Sequence, residues 1–186
     1  MSTLSDPSKN STNSSPSSRS DCSYITQSRL KDLLSYNPET GLFTWRPDCG
    51  IKKMAGKPAG TTHPTGYRHI LADGVSYRAH RLAWLYVHGM DPPHDIDHIN
   101  SMKADNRIIN LRLATRGQGQ ANKKRGICNT SGFKGVSKEH RANRWRAQIS
   151  HEGMKRYLGS FRTPKEAHAA YCTAADKYHK EFANYG

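Results

Sequence analysis

Apolar residues recur along this chain in two rhythms, one helical and one alternating. Leu30, Leu33 and Leu34 share a helical face and predict a short helix over Ser28 to Ser35. YNPETGLFTWR reads as a turn followed by a strand from Leu42 to Arg46. Tyr67 to Ala72 and Val75 to Ala79 are strand-like runs joined by Asp73-Gly74, a two-residue hairpin signal. Leu82, Leu85 and Tyr86 return to helical spacing, so a helix is expected from about Ala79 to His88, ended by Gly89. Leu111 and Leu113 alternate with Arg112, suggesting a short strand. Thr115 to Gln118 then has the form of a capping box at the start of another helix. In NRWRAQIS, Trp145, Ala147 and Ile149 face one way while Arg144, Arg146, Gln148 and Ser150 face the other. With FKGVSK before it and KRYLGSF after the Glu152-Gly153 turn, this predicts a three-stranded antiparallel meander. Thr163 as N-cap, Pro164 at N1 and Glu166 at N3 open a final helix. Ala167, Ala170, Tyr171, Ala174 and Tyr178 line one of its faces, and the small alanines let it lie close to the sheet. The fold class expected is α+β.

Composition divides this pattern into units. Residues 1–23 are Ser-rich and poor in apolar side chains, which predicts a disordered tail. Its Lys9 and Arg19 are balanced by Asp6 and Asp21, so it is no basic arm. Residues 24–125 are expected to form one domain, with a motif region at 95–124. Residues 126–186, entered through GICNTSG, form a second.

The 186 residues are 34% hydrophobic and carry a formal net charge of +14, which points to a polyanionic partner. The charge is uneven. Residues 24–100 carry nine basic residues against seven acidic, 101–129 seven against one, and 130–186 eleven against five. The polyanion-facing surface should therefore lie in the second half. No run of 18 apolar residues exists, and the N-terminus lacks an apolar signal core, so a cytoplasmic protein without membrane contact is expected. Cys22, Cys49, Cys128 and Cys172 form no Cys-x-x-Cys pair and read as free thiols.

The motif region carries the candidate chemistry. In the strand-like Asp95-Ile-Asp97-His98, the two carboxylates share a face and His98 points to the opposite one unless the chain bends. Asn106 and Asn110 follow, then the strand and the capped helix. The order is strand, loop, strand, helix, and it suits phosphodiester hydrolysis. A carboxylate helps hold a divalent cation that stabilises the leaving oxygen, and a histidine titrating near neutrality deprotonates water. The spacing alone is weak support, because Asp-His pairs are common and a lone histidine is more often structural. His80, on the preceding helix, reads as a packed residue, and His94 as a solvated one.

The text I-D-H-I-N…D-N-R…N-L-R-x-A-T resembles the HNH nuclease family, in the branch of phage and homing endonucleases. LLSYNPETGLFTWR, GYRHI and AHRLAWLYVHG resemble that branch too. The resemblance implies a ββα-metal domain with His98 as general base, Asp97 as metal-binding carboxylate and Asn110 as the central, orienting Asn. It implies a divalent metal, Mg²⁺ with Mn²⁺ as the alternative, and no small-molecule cofactor. The family places a further His or Asn ligand nine residues after the central Asn, and here that position is Gly119. Gln118 and Gln120 point to other helix faces, whereas Asn122, one turn on, could substitute. Gly117 and Gly119 also weaken the helix by about 1 kcal/mol each relative to Ala. Either Asp97, water and DNA phosphates hold the metal, or cleavage is disabled.

With the helix covering one side of the C-terminal meander, its other side presents Lys134, Arg144, Arg146, Gln148, Lys155 and Tyr157. Such a face can enter a DNA major groove or neutralise phosphates, although a solvated basic face is the plainer reading. S-G-F-K-G-V, W-R-A-Q-I, Y-L-G-S-F-x-T-P-K-E-A-H-A-A-Y and A-A-D-K-Y-H closely resemble the plant Apetala-two/ERF-type DNA-binding domain over about residues 130–184. That resemblance implies DNA contacts from the sheet face. Ser137 and Ser150 stand where plant members often carry Arg, so no target sequence is implied.

The expected architecture is thus a ββα-metal nuclease domain followed by a small three-stranded antiparallel sheet packed on one helix. The expected function is metal-dependent endonuclease action on double-stranded DNA. Two readings compete with it: a non-catalytic, sequence-specific DNA-binding protein on a disabled scaffold, argued by Gly119, and a nucleic-acid packaging protein, argued by charge alone.

Overall fold

Thr26 opens the first helix, α1 (Gln27–Leu33), by accepting the Arg29 N–H on its hydroxyl. The structure is a computed structural model that describes residues 25–50, 53–140 and 143–186; the tail expected over residues 1–23 lies outside them. α1 ends earlier than its periodicity suggested. Leu34 is already extended and starts β1 (Leu34–Asn37), which pairs antiparallel with β2 (Leu42–Trp45). Leu34 fits both rhythms, four residues after Leu30 and two before Tyr36. The strand wins because Tyr36 is buried too, its ring 4.7 Å from Phe43. Gly41, at φ +72°, turns the chain between these strands. A Cβ there would stand 2.4 Å from the Arg107 nitrogen, so the turn lies directly on the loop that leads to the site.

β3 (Thr61–Thr62), β4 (Arg68–Ala72) and β5 (Val75–Arg78) form a three-stranded antiparallel sheet. Asp73 and Gly74 both adopt positive φ, as the two-residue hairpin requires. The short β3 carried no apolar alternation and was not anticipated. α2 (Ala79–His88) follows at once and stops at Gly89 in the left-handed region. Leu30, Leu34, Phe43, Ile70 and Leu82 are the largest fully buried apolar side chains of the core these elements share.

β6 (Asp95–His98) and β7 (Leu111–Ala114) pair antiparallel, and α3 (Arg116–Ala121) follows. The capping box forms: Thr115 Oγ1 accepts from Gln118 N at 3.3 Å, and Gln118 Oε1 accepts from Thr115 N at 2.7 Å.

The C-terminal strands β8 (Val136–Glu139), β9 (Arg144–His151) and β10 (Met154–Phe161) form a meander in the order β10-β9-β8. Thr163 caps α4 (Pro164–His179), which buries Ala167, Tyr171, Ala174 and Ala175 against it. The approach is close enough that a Cβ on Gly135 would lie 2.0 Å from the Tyr171 ring. The two halves meet along a seam. Phe182, beyond α4, packs on Ala114 and Ala121, and Lys134 Nζ donates to the Ala121 carbonyl at 2.7 Å. The whole is a mixed α+β architecture of small antiparallel sheets. No helix among the described residues is long and apolar enough to cross a membrane.

Candidate active site and nucleic-acid interface

Alternation along β6 turns Asp97 and His98 to opposite sides of the strand, and both sides are enclosed. His98 is buried beside His80 and Tyr67, with ring centroids 5.1 and 6.0 Å away. Its Nε2 lies 3.5 Å from Asn106 Oδ1. Asn106 is itself buried, and its amide nitrogen donates to the Ala104 carbonyl, which turns the amide oxygen towards His98. Nε2 therefore carries the proton and donates, leaving the lone pair on Nδ1. Among the described residues Nδ1 has no hydrogen-bond partner, and the ring, though buried, lines a cleft. Burial lowers the His98 pKa, partly opposed by the Asn106 bond and by the charge of Asp97, so the ring is neutral at neutral pH. His80 is a packed residue, as the sequence suggested. Burial first, and then His98, press its pKa down to about 3, and its Nδ1 is buried without a partner among the described residues.

Asp97 stands opposite Arg112 in the β6–β7 register. Its Oδ2 accepts three hydrogen bonds: from Arg112 Nε at 3.0 Å, Arg112 Nη2 at 2.9 Å and Asn122 Nδ2 at 2.9 Å. Its Oδ1 accepts none from the described residues. Asn122, expected as a substitute ligand, is brought to the site but presents its amide nitrogen to Asp97. That nitrogen also donates to the His98 carbonyl at 2.7 Å. The Asn122 oxygen is engaged by Ser101 Oγ and Asn184 Nδ2.

Asn110 sits one layer back. It donates to Asn100 Oδ1 and the Asp105 carbonyl and accepts from Asn100 N, so it ties together the loop between β6 and β7. Tyr36 Oη fixes the same loop from the other side, donating to the Asn106 carbonyl at 2.7 Å. Asp97, His98, Gly119 and Asn122 line a cleft of about 480 Å³ whose basic residues include Arg78, Lys103, Lys123 and Lys124. Gly119 faces this cleft, and a Cβ there would meet nothing within 4 Å. Among the described residues, no group of three His, Cys, Asp or Glu side chains is placed to hold a metal ion.

Residues 77–121, which contain this cleft's histidines and aspartates, match the family model described as HNH endonuclease. Protein 3.8 of Escherichia phage T7 is 30% identical over 105 residues, an alignment covering 50% of this chain and 87% of that protein. The chain belongs to the family of that phage protein and carries an HNH endonuclease domain segment. A solved structure, that of DNA binding and cleavage by the HNH homing endonuclease I-HmuI, aligns over 79% of this chain and 85% of its own, at 22% identity and a TM-score of 0.39.

Outside the HNH segment, the C-terminal sheet sorts its predicted contact residues. Arg144, Arg146 and Gln148 alternate with the core positions Trp145, Ala147 and Ile149. Lys155 pairs with Ser150 and Tyr157 with Gln148, so both share the exposed face. Glu139 stands on this face as well, bound to Arg146 at 2.9 Å and to Ser160 Oγ. Lys134 does not join them. Its ammonium is spent on the seam with α3, and burial lowers its pKa to about 8.

Three residues of the site went unread in the sequence. Arg112 was visible only as a polar alternate, although pairing His98 with Leu111 would have set it against Asp97. Asn106 was noted without a role. Asn184 lies 62 positions from Asn122, and no local pattern joins them.

Proposed function

We propose that this chain is a metal-dependent DNA endonuclease in which His98 acts as general base. The observation that carries this reading is the His98 ring itself: neutral, hydrogen-bonded through Nε2 to Asn106, and lining a basic cleft together with Asp97. The cleft's lysines and arginines attract a phosphodiester by charge. Nδ1 takes a proton from a water held for in-line attack, and Nε2 keeps its bond to Asn106 while the imidazolium forms. Asn110 keeps the loop in shape.

The donor set fits a cation in a limited way. Asp97 Oδ1 would supply one ligand, with phosphate oxygens and water needed for the rest, a manner of binding that suits Mg²⁺, with Mn²⁺ as the alternative. When bound, the ion stabilises charge on the leaving oxygen. Asn122 orients Asp97 as a hydrogen-bond donor. Residues 24–125 form the nuclease domain, and residues 126–186 form the Apetala-two/ERF-like module. The exposed sheet face of that module, with Arg144, Arg146, Gln148, Lys155 and Tyr157, binds double-stranded DNA and anchors the site.

A second reading is favoured by Gly119 and Arg112. With no side chain at position 119 and a guanidinium on Asp97, the chain is a DNA-binding protein that no longer cuts. Plasmid nicking with Mg²⁺ or Mn²⁺ separates the two. The nuclease reading expects nicking that His98→Ala abolishes. If wild type is silent while Gly119→Asn or Gly119→His cuts, the second reading holds. Gly119→Ala is the control for helix stabilisation alone.

A further inference from the structure

The seven residues after α4 do more than end the C-terminal module. The Glu181 carbonyl accepts Arg112 Nη1 at 2.6 Å, and the Arg112 guanidinium carbon lies 3.7 Å from the centroid of the Phe182 ring. Arg112 is therefore held on three sides: Asp97 on one edge, a carbonyl on another, an aromatic ring on its face. Its side chain is 17% exposed and that of Asp97 12%, so these contacts act largely out of water, where cation–ring stacking and ion pairing are strengthened. Asn184 performs a parallel task. Its Nδ2 donates to the Asn122 carbonyl at 2.9 Å and lies 3.3 Å from Asn122 Oδ1. That leaves the Asn122 amide nitrogen turned towards Asp97 and the His98 carbonyl.

We propose that Phe182 and Asn184 are positioning residues of the cleavage site, holding Arg112 and Asn122 on Asp97 so that its second oxygen stays open. The C-terminal segment thereby buttresses a cleft whose lining residues all lie between Tyr67 and Lys124. The consequence for cleavage rests on the nuclease reading above; the placement of Arg112 does not.

The test uses the full chain with Phe182→Leu, which keeps an apolar side chain against Ala114 and Ala121 but removes the ring, and with Asn184→Ala. Two readouts are taken. The first is hydrogen exchange of the Arg112 Nε–H, observed by NMR without metal or DNA and assigned by its loss in Arg112→Lys. The second is nicking kinetics beside DNA affinity. The expected result is at least tenfold faster exchange in Phe182→Leu. In both variants kcat should fall about tenfold, with KM and DNA affinity unchanged. Wild-type exchange in Phe182→Leu overturns the proposal, and so does a loss of activity that follows a loss of DNA affinity. If the wild-type chain does not nick at all, the nuclease reading fails, and the exchange measurement alone decides the positioning.

Discussion

Replacing Gly41 by Ala should damage a site 57 positions away in sequence, and the structure gives the size of the effect. Gly41 has φ +72°, where an L side chain costs about 1–2 kcal/mol. Its new Cβ would also meet the Arg107 nitrogen at 2.4 Å and the Asn106 carbonyl carbon at 2.6 Å. These are backbone atoms, and relieving such overpacking costs about 1–3 kcal/mol more. The expected loss is about 2–5 kcal/mol. Gly74→Ala supplies the control. It shares the positive φ, at +80°, but its Cβ meets nothing within 4 Å, so it should cost only the first part. Urea unfolding followed by tryptophan fluorescence measures both variants, since Trp45 is buried in the same core. The loop that must yield carries Asn106, so Gly41→Ala should also slow any cleavage that depends on His98, whereas Gly74→Ala should not. Equal stability losses within about 0.5 kcal/mol, close to the resolution of such comparisons, would refute the claim that this turn is pressed against the loop.

Other outcomes follow from single side chains. Lys155→Ala or Arg144→Ala should weaken DNA binding and lower the slope of log affinity against log salt by about 0.9 for each phosphate no longer neutralised. Lys134→Met should leave that slope unchanged while lowering stability, since its ammonium serves the seam. The hydrogen bond from Arg107 holds the Asp105 carboxyl down to about 2. Folding therefore gains stability above the ordinary carboxylate pKa of about 4 and loses it as pH falls towards about 2. Asp105→Asn should flatten this part of an acid unfolding curve, and an unchanged curve would remove Asp105 from the account. Thr115→Ala should cost about 1 kcal/mol by removing the cap, read as faster amide exchange at Gln118, whose N–H bonds the threonine hydroxyl.

Periodicity reached those elements whose apolar residues follow one rhythm. The bounds of α2, the Asp73-Gly74 and Glu152-Gly153 turns, and the caps at Thr115 and Thr163 were all legible, because local chemistry dictates them. It failed at Leu34, which satisfies two rhythms, and at β3, which has too few side chains to show one. Within the site, Asp97 and His98 stood out as residue types adjacent in sequence. Asn122 was placed there by its helical spacing, though as a ligand rather than a donor to Asp97. Arg112 and Asn184 did not stand out, because one reaches Asp97 across the β6–β7 register and the other reaches Asn122 from the far end of the chain. Lys134 was misplaced for a related reason. A lysine ahead of a basic strand looks like part of its face until the seam that claims it is known.

That seam also bears on distance along DNA. Phe182 on Ala114 and Ala121, Lys134 on the Ala121 carbonyl, and Asn184 on Asn122 leave no free tether between the exposed sheet and the cleft. On the proposed reading, the spacing between the bases that the sheet engages and the bond that is cut works as a ruler built into the protein. Cuts should fall a constant number of base pairs from the bound sequence, whatever lies between.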